Sequence, residues 1–275
     1  MQGKQENKEE NIDIKALFLK YAQYWYYFIL SILFFGFIAF LNNRYTVPEY
    51  SVSTTLLIRD DKNSQLGAEN LLEGLELFSG KKNLNNEIVI LNSYSLSEQI
   101  VEELKLGVSY FQHGFLITNE LFNNSPFKVN IDSNHLQLTG IDFQINPLDS
   151  LEFTLVASTK DKYPYNISTE KLDKSLSADF EIERNYSFDS IIESDFFSFS
   201  IIKTDYFDLK KILENGNHFS FKLHQTDKLC HKLIDAVNIN PINKEASILI
   251  LNIKGRTPKK NIKILNTLTK IYIRS

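Results

Sequence analysis

The stretch Tyr21–Asn43, YAQYWYYFILSILFFGFIAFLNN, carries no charge in a chain where 23% of residues are Asp, Glu, Lys or Arg. A helix rises about 1.5 Å per residue, so this stretch would reach roughly 34 Å, against about 30 Å for the hydrocarbon of a bilayer. From Phe28 to Leu41 only Ser31 and Gly36 interrupt the apolar run. Tyr24, Trp25, Tyr26 and Tyr27 crowd its leading end, where amphipathic rings favour the headgroup layer. An all-round apolar segment this long is rarely a buried core helix. A cleaved secretory signal fits no better: the preceding region is long and partly acidic (Glu6, Glu9, Glu10, Asp13), and no A-x-A-like site follows Ala39. The sequence therefore predicts an uncleaved transmembrane helix over 21–43, with Tyr24, Trp25, Phe28, Leu30, Phe34, Phe37 and Leu41 as anchor residues.

Residues 1–20 read as a cytoplasmic tail and an interfacial helix. The first 11 are polar and expected to be disordered, and Ile12, Ile14, Leu17 and Tyr21 then recur at helical spacing. Lys4, Lys8, Lys15 and Lys20 precede the span, and Arg44, Arg59 and Lys62 follow it. The positive-inside bias places the N-terminus in the cytoplasm and residues 44–275 outside, and a cysteine-poor outer domain is compatible with a bacterial cell envelope.

Past Pro48, Tyr50, Val52, Thr54, Leu56 and Ile58 alternate as one face of a strand, ending at a turn over Asp60–Asn63. Residues 70–107 read as helical, with Ile88, Leu91, Leu96, Ile100, Val101 and Leu104 apolar. Ser95 with Glu98 is expected to form a capping box, and Gly107 to end the helix. The middle is β-rich: FKVNI, LQLTGIDFQI, LEFTLVAS, FFSFSII and HFSFKLH are strand candidates between Asn, Asp, Ser and Pro clusters. TDKLCHKLIDAVNI reads as a short helix, and EASILILNIKG as a central strand. Thr257 and Pro258 are N-cap and first residue of a last helix. Ile262, Leu265, Thr269 and Tyr272 form one face of it, with Ile264, Leu268 and Ile271 beside. That pattern still runs at Ser275 without a Gly, Asn or Pro stop, which predicts a truncated chain. Ile264, Leu268 and Ile271 would then be partly uncovered, and the chain poorly soluble or dependent on a partner. The fold class is α+β: an N-terminal transmembrane helix, then a mixed α/β periplasmic domain with a β-rich middle.

A net charge of −4 and the absence of a basic stripe interleaved with aromatics leave no nucleic-acid footprint. A single cysteine, Cys230, excludes an intramolecular disulfide. No phosphate-binding glycine loop, nucleophile elbow or H-E-x-x-H occurs, and no cofactor is indicated. His218, His224, Cys230 and His231 are the best metal candidates, but their spacing lacks the close ligand pairs of zinc sites, and scattered histidines are the better reading. Asp179, Glu181 and Glu183 alternate along a strand, as a solvated face does. Phe196, Phe197 and Phe199, with Phe219 and Phe221, could stack on sugars, yet at period two they read as core.

The order of parts resembles the chain-length determinant family of polysaccharide co-polymerases. Three signatures carry the resemblance. They are the strand with Pro48, Tyr50 and Val52; the helix with Asn86, Glu87, Ile88, Ile90, Leu91 and Ser93; and the helix with Pro258, Leu265, Asn266 and Leu268. It looks closest to the membrane part of bacterial tyrosine autokinases of capsule and exopolysaccharide export. The resemblance implies two membrane helices bracketing an external α/β domain with a long helix. It also implies homo-oligomeric rings in the inner membrane that set polymer length with the polysaccharide, its polymerase and the export machinery, without cleaving or joining sugars. In the autokinase branch a P-loop kinase follows the second helix; that part has no match in these residues, so kinase activity is not carried over. Two other readings fit the anchor-then-domain layout: a ligand-sensing outer domain of a signalling protein, and an envelope enzyme using His224 or Glu181.

Overall fold

A computed structural model describes residues 14–58, 84–114, 117–216, 218–243 and 247–274. The chain divides into two compact units after Val47. The expectations for residues 1–11, for the Asp60–Asn63 turn and for a helix over 70–83 lie outside the described residues.

The first unit contains α1 (Ile14–Ala22) and α2 (Trp25–Tyr45). They are separated at Gln23–Tyr24, where Tyr24 N–H turns back to Tyr21 O at 3.0 Å and Tyr27 N–H to Tyr24 O at 3.0 Å. The uncharged stretch is thus not one helix: Tyr21 and Ala22 belong to α1, and the long helix continues two residues past Asn43, to Tyr45. At 21 residues α2 is about 31 Å long, enough to cross a bilayer. Its most apolar 18-residue window has a mean hydropathy of 1.8, and none of its residues is buried. Thr46 closes it, donating from N–H (2.9 Å) and Oγ1 (2.6 Å) to Asn42 O.

The second unit is built on two cores. The first is assembled from both ends of its sequence. Strand β1 (Tyr50–Leu57) pairs antiparallel with β15 (Ile248–Gly255), which also pairs with β14 (Val237–Pro241), so β15 is the central strand. Helices α3 (84–91), α4 (Tyr94–Glu103), α6 (Thr226–Ala236) and α7 (Pro258–Arg274) complete this layer. Leu91, Ile100, Leu249, Leu251, Leu265 and Leu268 are each at most 2% exposed in it.

Several local expectations are corrected here. The N-cap of α4 is Ser93, whose Oγ accepts from Leu96 N–H at 3.4 Å; Ser95 lies inside the first turn. The helix ends on Lys105, at φ 52°, rather than on Gly107. Leu106 N–H bonds Val101 O (2.9 Å) and Lys105 N–H bonds Glu102 O (3.1 Å), a Schellman closure with buried Leu106 as its apolar plug. The helix TDKLCHKLIDAVNI stops at Ala236, because Val237 and Ile239 leave it to pair with Ile253 and Leu251. On α7, Ile262 is 46% exposed, while Asn261, Ile264, Leu265, Leu268 and Ile271 form the buried face. Ile264, Leu268 and Ile271 are covered, not bare: α7 lies against β1, β15 and α4.

The second core belongs to residues 108–223. A six-stranded sheet orders β10-β7-β6-β13-β2-β3: Ala178–Ser187, Glu152–Lys162, Phe143–Pro147, His218–Leu223, Val108–His113 and Thr118–Leu121. A three-stranded sheet orders β11-β12-β4: Ile191–Ser194, Phe197–Lys203 and Phe127–Ile131. Rings join the two sheets. Phe143 lies 5.4 Å from Phe197, 5.2 Å from Phe199 and 4.9 Å from Phe221. The phenylalanines at period two are therefore core, as their spacing predicted; Phe196 packs on its margin. A small third sheet holds β5 (Leu136–Gln137), β8 (Tyr165–Asn166) and β9 (Lys171–Leu172). The expected single strand LQLTGIDFQI is split into β5 and β6 by Gly140, at φ 73°. Helix α5 (Leu209–Asn215) leads into β13.

Candidate functional site

The anchor residues Trp25, Phe28, Leu30, Phe34 and Phe37 are exposed on α2, Leu41 is half-buried, and Tyr24 sits in the turn before it. The three signatures come together in the first core. Tyr50 and Val52 face Gly255 and Ile253 across the β1–β15 ladder, just after Pro48. Leu91, Leu265 and Leu268 are buried there, Ile88 is half-buried, Ser93 caps α4, and Pro258 opens α7. Asn86 and Asn266 are exposed. Glu87 accepts a hydrogen bond from Tyr272 Oη at 2.7 Å, tying α3 to α7; burial and this carboxylate push the phenol up to about 12. Lys270 donates to Glu103 at 2.5 Å and holds that carboxyl below its usual range, tying α4 to α7.

The metal candidates are not assembled. His218 pairs with Asn146 Oδ1 (3.1 Å), His231 with Asp227 O (2.9 Å), and Cys230 is fully buried. Among the described residues no three His, Cys, Asp or Glu groups converge. Asp179, Glu181 and Glu183 are exposed along β10.

A polar network links the two cores. Ser109 on β2 and Glu120 on β3 reach it from the second core, Thr257 and Lys260 from the start of α7, and His224 from the junction of β13 and α6. The ammonium of Lys260 grips Glu120 Oε1, with side chains only 19% and 26% exposed. Thr257 Oγ1 donates to Glu120 Oε2 at 3.2 Å, and Ser109 Oγ donates to Oε1 at 3.4 Å. His224 Nε2 lies 2.9 Å from Ser109 Oγ, and its backbone N–H bonds Gly107 O at 2.9 Å. Burial, reinforced by Lys260, Lys232 and Lys222 and opposed by Glu120, lowers the imidazole to about 4, so it is neutral at pH 7.

These groups do not form a nucleophilic triad. Glu120 addresses Ser109 and Lys260 instead of orienting the imidazole, and an imidazole titrating near 4 is a weak base. The arrangement is suited to holding the cores in register and to presenting charge. Beside it opens a cavity of about 290 Å³ lined by Lys232, Lys254, Arg256, Lys260 and Asn261; a second, of about 460 Å³, shares the Glu120–Lys260 pair. Sequence reading missed Ser109, Glu120 and Lys260. Lys260 and Glu120 are 140 residues apart, and no local periodicity reports such a pairing.

Comparison with known proteins adds one finding. Residues 10–104 match the family model described as Wzz, chain length determinant protein. The matched segment runs from before α1 through β1 to the end of α4 and contains all of α2. No curated protein matches.

Proposed function

We propose that this chain, a member of the chain-length determinant family by its residues 10–104, acts as a membrane-anchored scaffold that regulates the length of a bacterial surface polysaccharide. The observation that carries the reading is that one family match includes both α2, a helix able to cross a membrane, and the first parts of the folded unit behind it. In this reading α2 fixes the protein in the inner membrane with its N-terminus in the cytoplasm. The unit starting at Pro48 stands on the periplasmic side. Copies assemble into a ring beside the polymerase and export machinery, by heterologous contacts that close on themselves. Chemistry on the sugar is left to those partners, and the polymer is held or released according to ring geometry.

Deletion of the gene tests this. The expected result is a surface polysaccharide whose modal length shifts on a gel while its composition stays the same, together with ladders of cross-linked copies in native membranes. An unchanged length distribution, or only monomers after cross-linking, overturns it.

A further inference from the structure

We propose that the cavity at the start of α7 binds an anionic group, a carboxylate or phosphate, carried by a glycan. The anion site rests on geometry and charge; taking its carrier to be a glycan rests on the function proposed above.

The chain as a whole is acidic, at net −4, yet this cavity is lined by Lys232, Lys254, Arg256 and Lys260 against one acid, Glu120. That acid is already engaged by Lys260 and Thr257. Lys232, Lys254 and Arg256 have no ion pair among the described residues, so their charge is uncompensated.

A second, independent feature points to a ligand. Asn261 is 7% exposed and lines the same cavity, and its Nδ2 has no hydrogen-bond partner among the described residues. A buried amide donor without an acceptor is costly, and native structures rarely leave one unmet. The backbone makes room for it: a Cβ at position 255 would come within 3.0 Å of that nitrogen, so Gly255 lets the amide sit where it does. The N-terminal end of the 17-residue α7 adds positive potential on the same side. Donor, cations and helix end all favour an oxygen anion over a neutral or cationic ligand. At about 290 Å³ the cavity is close to the roughly 300 Å³ at which ligand clefts begin, enough for one acidic sugar unit.

The test uses the full chain in detergent micelles, titrated calorimetrically with glucuronate, inorganic phosphate, glycerol phosphate and glucose. Glucuronate or phosphate should bind saturably, more weakly at high salt, and glucose should not. The pair of substitutions Lys254→Gln and Arg256→Gln should weaken binding tenfold or more, and Gly255→Ala should weaken it by displacing Asn261. Lys210→Gln with Lys211→Gln, on side chains 84% and 77% exposed in α5, should change nothing. Absence of saturable anion binding, equal binding of glucose, or full binding by the Lys254/Arg256 variant overturns the site. An acidic oligosaccharide that outcompetes monomeric glucuronate supports the glycan carrier, whereas glycerol phosphate outcompeting it assigns a lipid headgroup and overturns that part. If gene deletion leaves polymer length unchanged while these titrations succeed, the chain-length reading fails and the anion site stands.

Discussion

The two cores of the second unit are built by opposite strategies. One is closed by segments far apart in the chain: Tyr50 lies opposite Gly255, and Leu56 opposite Leu249. The other is wound from residues 108–223 alone, with near neighbours such as β6 and β7 or β11 and β12 paired antiparallel. The first uses aliphatic residues between helices and a small sheet; the second fills the space between two sheets with phenylalanine rings. Non-local pairing pays loop-closure entropy before any contact repays it, so the terminal core should depend on the inserted one being in place. The polar network of Ser109, Glu120, Thr257 and Lys260 lies where that dependence is transmitted.

The largest expected effect tests whether the cores are separable. Phe143 is 0% exposed and meets three other rings, so Phe143→Ala should cost about 3–5 kcal/mol. Leu251→Ala, also at 0% exposure on the central strand, should cost about 2–5 kcal/mol. Hydrogen exchange on the full chain in micelles should show Phe143→Ala loosening residues 108–223 first, and Leu251→Ala loosening β1, β15 and α7 first. Equal loosening of both cores by either change would show one cooperative unit and dissolve the contrast.

A smaller effect probes the junction through pH. His224 is ordinarily near 6.5 when unfolded and about 4 here. The unfolded chain therefore binds the proton more readily between these values, and its uptake favours unfolding. The stability linked to the neutral imidazole is complete above about 6.5 and falls as pH drops towards 4, by at most about 3 kcal/mol. Lys260, Lys232 and Lys222 oppose the protonated form and Glu120 favours it. His224→Gln, which can still bond Ser109, should flatten the urea midpoint between pH 4.5 and 7 relative to the unaltered chain. An equally steep profile in that variant would assign the acid sensitivity to the carboxylates instead.

Legibility followed the same division. The terminal core announced itself locally: the alternation along β1, the apolar run of β15 and the Thr257–Pro258 start of α7 are each visible within ten residues. Strands β4, β7, β12 and β13 were equally plain, because one face of each is buried against rings. Strands β2 and β3 were not, since VSYFQH and TNEL mix polar and apolar residues at sites only partly buried. The network escaped for a different reason. Its members come from four separate elements, and His224, singled out as a metal candidate, meets Ser109 instead. A pairing across more than a hundred residues leaves no periodic trace. The last helix was placed correctly but rotated: its buried face is centred on Ile264, Leu265 and Leu268, and Ile262 points outward.

The finest test concerns two serines at the start of α4, two residues apart. The motif Ser-x-x-Glu at Ser95 and Glu98 has the spacing of a capping box, but a box works only if its serine is the last residue before the helix. Ser93 occupies that place, with φ −73° and ψ 149°, and Ser95 is already helical. The extended backbone at Ser93 follows from the end of α3, where Ser93 N–H still reaches Ile90 O at 3.0 Å before the chain turns. Ser93→Ala should therefore cost about 1 kcal/mol by freeing the Leu96 N–H, while Ser95→Ala, on an exposed helical position, should stay within about 0.5 kcal/mol of no effect. Ser93 also lies in one of the three signature segments. A cost that falls on Ser95 instead would move the start of α4 by two residues and turn the buried Leu96 and Ile100 out of the core they share with Leu265 and Leu268.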